Sequence, residues 1–219
     1  MKLFLLFLSL FLFSCTKSKD TEVESIEKIE IGQVKKVEGD SEGKDCTYQL
    51  NTDEAKFEVT GYKFESKEGV TGTFKEWSLN ANPTGENIEE ILSSVSFEIV
   101  EKSLEFGKPA RNTNILKGLL KNIPGDNITG MISSVDDNAK TVMVDLSWGG
   151  NSHEVEMEYD YSDSVMTLRG VIDLLELGYT KAFGELAKLC KVHHMKNGTA
   201  KTWSDVSIVS SAPLIKNCK

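Results

Sequence analysis

The most restrictive feature of this 219-residue sequence is the regular alternation of apolar and polar side chains in its second half. Val142, Val144, Leu146 and Trp148 occupy every second position, and residues 155–161 repeat the pattern. Successive side chains of a strand point to opposite faces of a sheet, so period two predicts strands with one buried and one wet face. The chain is therefore expected to be mainly β.

Short turn sequences rich in Asp, Asn, Gly and Ser separate these runs, at residues 136–138, 149–151 and 162–164. Three short connections in succession predict an antiparallel meander. Runs of the same kind elsewhere extend the prediction to eight strands, near residues 55–64, 70–80, 94–104, 127–136, 139–148, 152–161, 165–176 and 205–216.

The first predicted strand contains a change of parity. Phe57 and Val59 share one face, whereas Tyr62 and Phe64 share the other, and Gly61 lies between them. Glycine at such a change is typical of a bulge or sharp bend at a barrel corner. We therefore predict an irregularity at Gly61.

Two segments have helical rather than strand spacing. Residues 109–121 begin with proline and carry leucine and isoleucine at helical intervals. Residues 179–195 have one apolar side and are expected to cap the structure. Aromatic residues make up only 8% of the chain and are scattered, whereas membrane barrels carry aromatic girdles, so we expect a soluble barrel.

The N-terminus reads as a bacterial export signal. Lys2 precedes a short apolar run that ends in Leu12-Phe13-Ser14-Cys15, which resembles the lipobox of bacterial lipoproteins. We expect cleavage of a signal peptide at residues 1–14 and lipidation of Cys15, with ordinary secretion as the alternative. Residues 15–45 are charged and nearly free of aromatics, which is typical of a flexible tether. The domain is then 46–219.

The chain is acidic, with 25 Lys and Arg against 34 Asp and Glu, a formal net charge of −9. Phosphate binding needs a basic surface, so nucleic acid is not an expected partner. The same charge is expected to repel the body of the protein from an anionic membrane surface. A lipid on Cys15 is therefore the predicted membrane attachment.

Four stretches in the same order resemble YceI-like domains. They are FEVTGYKFESKEGVTGTFKEWSLN (57–80), FGKPARNTNILKG (106–118), WGGNSHEVEMEY (148–159) and LRGVIDLLELGYTKAFGELAKLCKVHHMKNGTAKTWSDVSI (168–208). The chain is similar to a lipoprotein branch of that family. The resemblance implies an eight-stranded antiparallel lipocalin-like barrel with two short helices, whose apolar lumen holds a polyisoprenoid or other long-chain lipid.

An eight-stranded barrel encloses just enough space for packed side chains or one slender ligand. The residues expected to face the lumen are those of inward parity. They are Phe57, Val59, Phe97, Ile99, Val142, Val144, Leu146, Val155, Met157, Tyr159, Leu168 and Ile172. Parity does not distinguish residues that line a cavity from residues that fill a core.

Cysteine pairing is expected, because the predicted compartment is oxidising. The first and last strands of an antiparallel barrel pair, which brings the start of one beside the end of the other. Cys46 is therefore expected to bond to Cys218, with Cys46–Cys190 as the second choice. No cysteine spacing indicates a metal site.

The resulting functional expectation is a non-enzymatic carrier that binds a polyisoprenoid or fatty lipid in the cell envelope. We expect no catalytic residues, no metal and no other cofactor, because nucleophile motifs are missing and His193 and His194 diverge on a helix. The alternative is a surface interaction protein that acts through loops 81–93 and 121–126. Thr16 follows the lipidated cysteine, which favours attachment to the outer membrane. The resemblance to YceI-like domains implies a homodimer as a candidate assembly.

Overall fold

The structure is a computed structural model that describes residues 46–218. The predicted signal peptide, Cys15 and the tether lie outside the described residues. The strands are β1 (Cys46–Leu50), β2 (Lys56–Lys63), β3 (Glu68–Phe74), β4 (Trp77–Asn80), β5 (Thr84–Gly85), β6 (Ser96–Val100), β7 (Leu104–Glu105), β8 (Asn127–Asp136), β9 (Thr141–Trp148), β10 (Asn151–Ser162), β11 (Val165–Asp173), β12 (Met195–Lys196), β13 (Thr199–Ala200) and β14 (Thr202–Cys218). The α-helices are α1 (Ile88–Leu92), α2 (Pro109–Gly118) and α3 (Thr180–Cys190).

The long strands form one curled antiparallel sheet. The order β6-β8-β9-β10-β11-β14-β2-β3 contains the predicted meander, since β8 to β11 follow one another in both chain and sheet. Within β10, Val155, Met157 and Tyr159 are buried while the acidic side chains between them are exposed. The alternation in the sequence therefore reports the two faces of this sheet.

The sheet returns to its own beginning through two interrupted strands. β3 and β4 follow each other with two residues between them, and β6 and β7 are separated by a short 3-10 turn, Glu101–Ser103. β4 pairs with β6 and β3 pairs with β7. The Lys75 N–H donates to Ser103 O at 3.0 Å between these pairs. Counting each interrupted strand once, the predicted lipocalin-like barrel of eight strands is confirmed.

The helices agree with the prediction in part. The first expected helix is α2, which ends at Gly118 and is followed by a 3-10 turn, and the second is α3, which ends at Cys190. The expectation of two helices was wrong by one, because α1 also forms. It has only five residues, too few to show a period, and its start is set by Asn87, whose Oδ1 accepts the Glu90 N–H at 2.8 Å.

The irregularity predicted at Gly61 lies on the neighbouring strand. β2 pairs with β3 without a break from Val59 to Lys63, whereas the register between β14 and β2 shifts between Thr202 and Val206. Tyr62 bonds to Ser207 through its hydroxyl at 2.7 Å. The extra residues thus belong to β14, which was predicted to begin only at residue 205.

The disulfide between Cys46 and Cys218 is present, as predicted. It does not join barrel strands at both ends, since Cys46 lies on β1, a short strand ahead of the barrel that pairs with the far end of β14. Cys190 is a buried free thiol, so the second-choice pairing with Cys46 is wrong.

Buried apolar side chains form two clusters. The end cluster closes the barrel near β1 and α1, and its members are Tyr48, Leu50, Ile91, Leu92, Ile132, Val142, Val144, Leu146, Val155, Met157, Tyr159, Met166, Ala212 and Leu214. The helix-side cluster joins the sheet to α2 and α3, and its members are Val59, Phe74, Ile99, Leu104, Phe106, Leu119, Leu120, Ile123, Trp148, Leu174, Tyr179 and Ala182. Among residues 46–218, no helix is long and apolar enough to span a bilayer.

Candidate functional site

A cavity of about 250 Å³ lies inside the barrel, and members of both clusters line it. Its wall is almost entirely aliphatic and aromatic. The volume is just below the range of about 300–1,000 Å³ that is usual for small-molecule pockets. The small volume of the site therefore favours one slender apolar chain over a bulky ligand.

The structure brings together most of the residues predicted to face the lumen. The cavity wall includes Phe57, Val59, Phe97, Ile99, Val144, Leu146, Val155, Met157, Leu168 and Ile172. Val142 and Tyr159 are not on this wall. They are 1% and 4% exposed within the end cluster, deeper along the same strands. Parity predicts the correct face for both, but the depth along a strand decides which residues meet the cavity.

Two aromatic side chains that the sequence did not single out, Phe74 and Trp77, pack against Phe57 in the cavity wall. The Phe57 ring lies 6.3 Å from the Phe74 ring and 6.0 Å from the Trp77 ring, measured between centroids. Phe106 and the helix residue Leu186 also reach the wall. Because β3 and β4 are interrupted, their inward residues follow no continuous alternation, which is why they were missed.

Two glycines let rings of the wall pack directly against the sheet. A Cβ on Gly72 would stand 2.4 Å from the Phe106 ring, and a Cβ on Gly130 would stand 2.4 Å from the Phe97 ring. Neither contact is sterically possible, so only glycine permits these ring positions. Both rings line the cavity. The glycines therefore help to set its width.

The charged groups of the wall gather at one end. Lys63 and Arg111 line the cavity there with His194 and Thr202. Thr202 pairs with Lys63 across β14 and β2, and the His194 Nδ1 lies 2.7 Å from the Thr202 hydroxyl. All four residues are partly exposed. Because they meet both the cavity and solvent, we call this end the polar mouth.

Burial and positive neighbours act together on His194. Desolvation lowers the pKa of His194, and the charges of Lys63, His193 and Arg111 lower it further. Both effects disfavour the charged imidazolium, so the ring is neutral near neutral pH. Burial also raises the pKa of the neighbouring Cys190 thiol, which disfavours the reactive thiolate form.

A buried polar chain supports the wall behind Trp148. The Trp148 Nε1 donates to Glu101 Oε1 at 2.6 Å, and the Tyr179 hydroxyl donates to Trp148 O at 2.7 Å. His153 Nε2 lies 3.3 Å from that hydroxyl. Burial is the main cause that raises the pKa of Glu101, against the lowering effect of its bond to Trp148. Glu101 holds the indole of a cavity-wall residue, and no sequence motif pointed to it.

The loops proposed for surface interaction are partly structural. Loop 81–93 contains α1, whose Ile91 and Leu92 are 1% and 2% exposed in the end cluster. Loop 121–126 contributes Ile123 to the helix-side cluster. No group of three or more metal-ligating side chains occurs in the part of the chain that the structure covers. The cavity and its mouth are thus the clearest candidate site.

Comparison with known proteins identifies the fold. No family profile and no curated protein sequence matches the chain. Among solved structures, Burkholderia cenocepacia BcnA is 14% identical, with a TM-score of 0.51, over 76% of this chain and 99% of BcnA. A polyisoprenoid-binding domain from Saccharophagus degradans, implicated in plant cell wall breakdown, is 12% identical, with a TM-score of 0.49 over 78% and 98%.

A mutant of the Campylobacter jejuni YceI protein is 14% identical to the chain, with a TM-score of 0.46 over 69% of this chain and 86% of that one. Identities this low concern the fold and not the ligand. The chain thus has the fold of BcnA, and its strands form the eight-stranded antiparallel barrel that its sequence predicts.

Proposed function

We propose that this protein binds one slender long-chain lipid, a polyisoprenoid or a fatty lipid, inside the barrel. The observation that carries the proposal is the apolar cavity with its polar mouth. Such a site offers an alkyl or prenyl chain a wall of hydrocarbon and leaves a polar head at the mouth. The sequence motifs that resemble YceI-like domains imply the same class of ligand.

The energetics favour occupancy by an apolar molecule. Each methylene removed from water contributes about 0.8 kcal/mol. A ligand also restores dispersion contacts that side chains facing an empty space lack. These gains must exceed the cost of immobilising the ligand, about 4–15 kcal/mol. A chain of several buried carbons is therefore required, which argues against very small ligands.

The proposed setting is the cell envelope, where the protein carries or sequesters its lipid while an acyl anchor on Cys15 holds it at a membrane. Support for the anchor comes from the apolar leader and the sequence Leu12-Phe13-Ser14-Cys15. An anchor of this kind would keep the protein at the bilayer that holds its cargo.

The test is an equilibrium titration of the full chain with a fluorescent fatty acid, followed by competition with an unlabelled polyprenol. Leu168→Trp adds a large ring to the cavity wall, and Leu175→Trp makes the same change at a side chain that is 43% exposed outside it. We expect Leu168→Trp to weaken binding by a factor of about ten or more, equivalent to about 1.4 kcal/mol. Equal affinities of the two variants would reject the cavity as the site.

A further inference from the structure

One segment of this acidic chain is locally basic. Residues 186–204 contain Lys188, Lys191, Lys196 and Lys201 and no Asp or Glu, although the whole chain has a formal net charge of −9. The segment comprises the end of α3, the β12–β13 hairpin and the start of β14. Its charge is therefore opposite in sign to that of the protein as a whole.

This segment forms one side of the polar mouth. It supplies Cys190, His194 and Thr202 to the cavity wall. The tip of the β2–β3 hairpin is bonded to it, since the Phe64 N–H donates to Lys201 O at 3.0 Å and Trp203 Nε1 donates to Phe64 O at 2.7 Å. We call residues 186–204 together with hairpin residues 63–68 the mouth rim.

Exposed apolar side chains lie between the lysines of the rim. Val192 is 78% exposed, Met195 is 48% exposed and Leu189 is 45% exposed. Exposed apolar side chains are costly to leave in water, and these three lie within seven residues of the sequence. Interleaved lysines and exposed apolar side chains are typical of surfaces that enter the headgroup region of a bilayer.

Acidic side chains near the rim are mostly engaged by its cations. Glu185 pairs with Lys188 at 2.6 Å, Glu68 pairs with Lys63 at 2.9 Å, and Asp205 pairs with Lys67. Lys191 directly precedes Val192, the most exposed apolar residue of the rim. The rim as a whole keeps an excess of positive charge, because its six lysines outnumber Glu65, Glu68, Glu185 and Asp205.

We infer that the mouth rim docks on the surface of an anionic phospholipid bilayer, so that the cavity opens onto the membrane from which its lipid is taken. The inference rests on the proposed function, since it names the partner of the same site. Charge complementarity selects an anionic bilayer, and the continuity of the rim with the cavity explains the position of the patch. Repulsion between the acidic remainder of the protein and the anionic bilayer is screened by salt beyond about 8–10 Å at physiological ionic strength.

Hydrogen exchange of the full chain, resolved by peptide, tests the inference. A lipid anchor would hold any variant at a vesicle, so the measurement must be local to the rim. We expect slower exchange in peptides from 186–204 on vesicles of phosphatidylcholine mixed with phosphatidylglycerol. Vesicles of phosphatidylcholine alone should give little protection, and high salt should abolish it.

The test variant is Lys191→Glu/Val192→Ser, and the matched control is Lys56→Glu/Met131→Ser. The control makes the same charge reversal and a similar apolar loss at exposed residues of β2 and β8. Each unit of charge near an anionic surface is worth a factor of about five, and Lys191→Glu changes the charge by two units, so the rim variant should need about 25-fold more vesicles for equal protection. The control should behave as the unaltered chain does.

Several results would overturn the inference: no protection on anionic vesicles, equal protection on neutral ones, or equal losses in both variants. Protection that grows with protein concentration without vesicles would instead identify a second copy as the occupant and would also overturn it. The lipid titration separates the two proposals. A chain that binds lipid but shows no protection refutes docking alone, whereas protection without lipid binding refutes the proposed function.

Discussion

At the scale of single residues, Glu101 is a buried carboxyl group that holds the indole of Trp148 in place. It is 3% exposed and accepts the indole N–H of Trp148. It lies in the short turn between β6 and β7, where neither alternation nor helical spacing applies. A buried carboxylate in an irregular segment leaves no pattern in the sequence, which is why it could not be predicted.

We predict that Glu101→Ala lowers the free energy of unfolding by about 1–3 kcal/mol, because the Trp148 N–H loses its buried acceptor. Glu101→Gln keeps an acceptor and removes a charge that burial disfavours, so it should stay within about 1 kcal/mol of the unaltered protein. Urea unfolding followed by tryptophan fluorescence measures both. Equal losses in the two variants would show that the hydrogen bond contributes nothing.

His194 makes stability depend on pH. Its pKa in the folded state lies below the ordinary value of 6.5, so the unfolded chain takes up this proton more readily. The contribution of the neutral His194 ring to the free energy of unfolding is therefore complete above the pKa of the unfolded state. It is lost as the pH falls through the pKa of the folded state. When the pH is lowered from about 7 to about 5, the free energy of unfolding should therefore fall less in His194→Gln than in the unaltered chain. The exposed neighbour serves as control, and an equal effect of His193→Gln would contradict the assignment.

At the scale of elements, α2 and α3 approach each other at Gly118. A Cβ there would stand 2.6 Å from the Leu186 Cα, a backbone atom that cannot turn aside. Gly184 lies within α3 and has nothing within 4 Å of the same position. The two glycines therefore differ in what an added methyl group meets.

We predict that Gly118→Ala destabilises the protein by about 1–3 kcal/mol, because the helices must separate. Gly184→Ala should stabilise it by about 0.5–1 kcal/mol through helix propensity. Thermal unfolding of the two variants in parallel measures the difference. Stabilisation by both substitutions would contradict the close approach of the helices.

The sequence predicts elements well where one face is continuously buried. β9 and β10 follow the alternation closely because they keep a single register with each other. Prediction fails where local bonds override the pattern. β11 ends at Asp173, three residues early, because its Oδ1 accepts the Leu175 N–H at 2.7 Å and turns the chain. The short α1 and the irregular start of β14 were missed for the same kind of reason.

At the scale of the whole molecule, the Cys46–Cys218 bond ties together the two ends of the described chain across 172 residues. Closing a loop of this size restricts the unfolded state strongly. We predict that Cys46→Ser/Cys218→Ser lowers the free energy of unfolding by about 2–5 kcal/mol while the far-ultraviolet spectrum of the folded state is unchanged. An unaltered urea midpoint would contradict the prediction.

The sequence predicts which side chains face the inside of the barrel, but it does not predict where along the barrel the cavity lies. Ten of the twelve predicted lumen residues reach the cavity, and Val142 and Tyr159 do not, because the end cluster fills the barrel at their depth. The charge of the mouth was also hidden. A net charge of −9 averages over the chain, whereas the rim brings lysines from two distant segments to one place.

The most direct test of lipid binding is native mass spectrometry of the full chain purified in mild detergent. We expect one apolar adduct per chain, with masses in a series spaced by methylene or isoprene units, and its loss in Leu168→Trp. Leu175→Trp should retain it. A chain that shows only its own mass, and still does so after polyprenol and fatty acid are added, would contradict lipid binding inside the barrel.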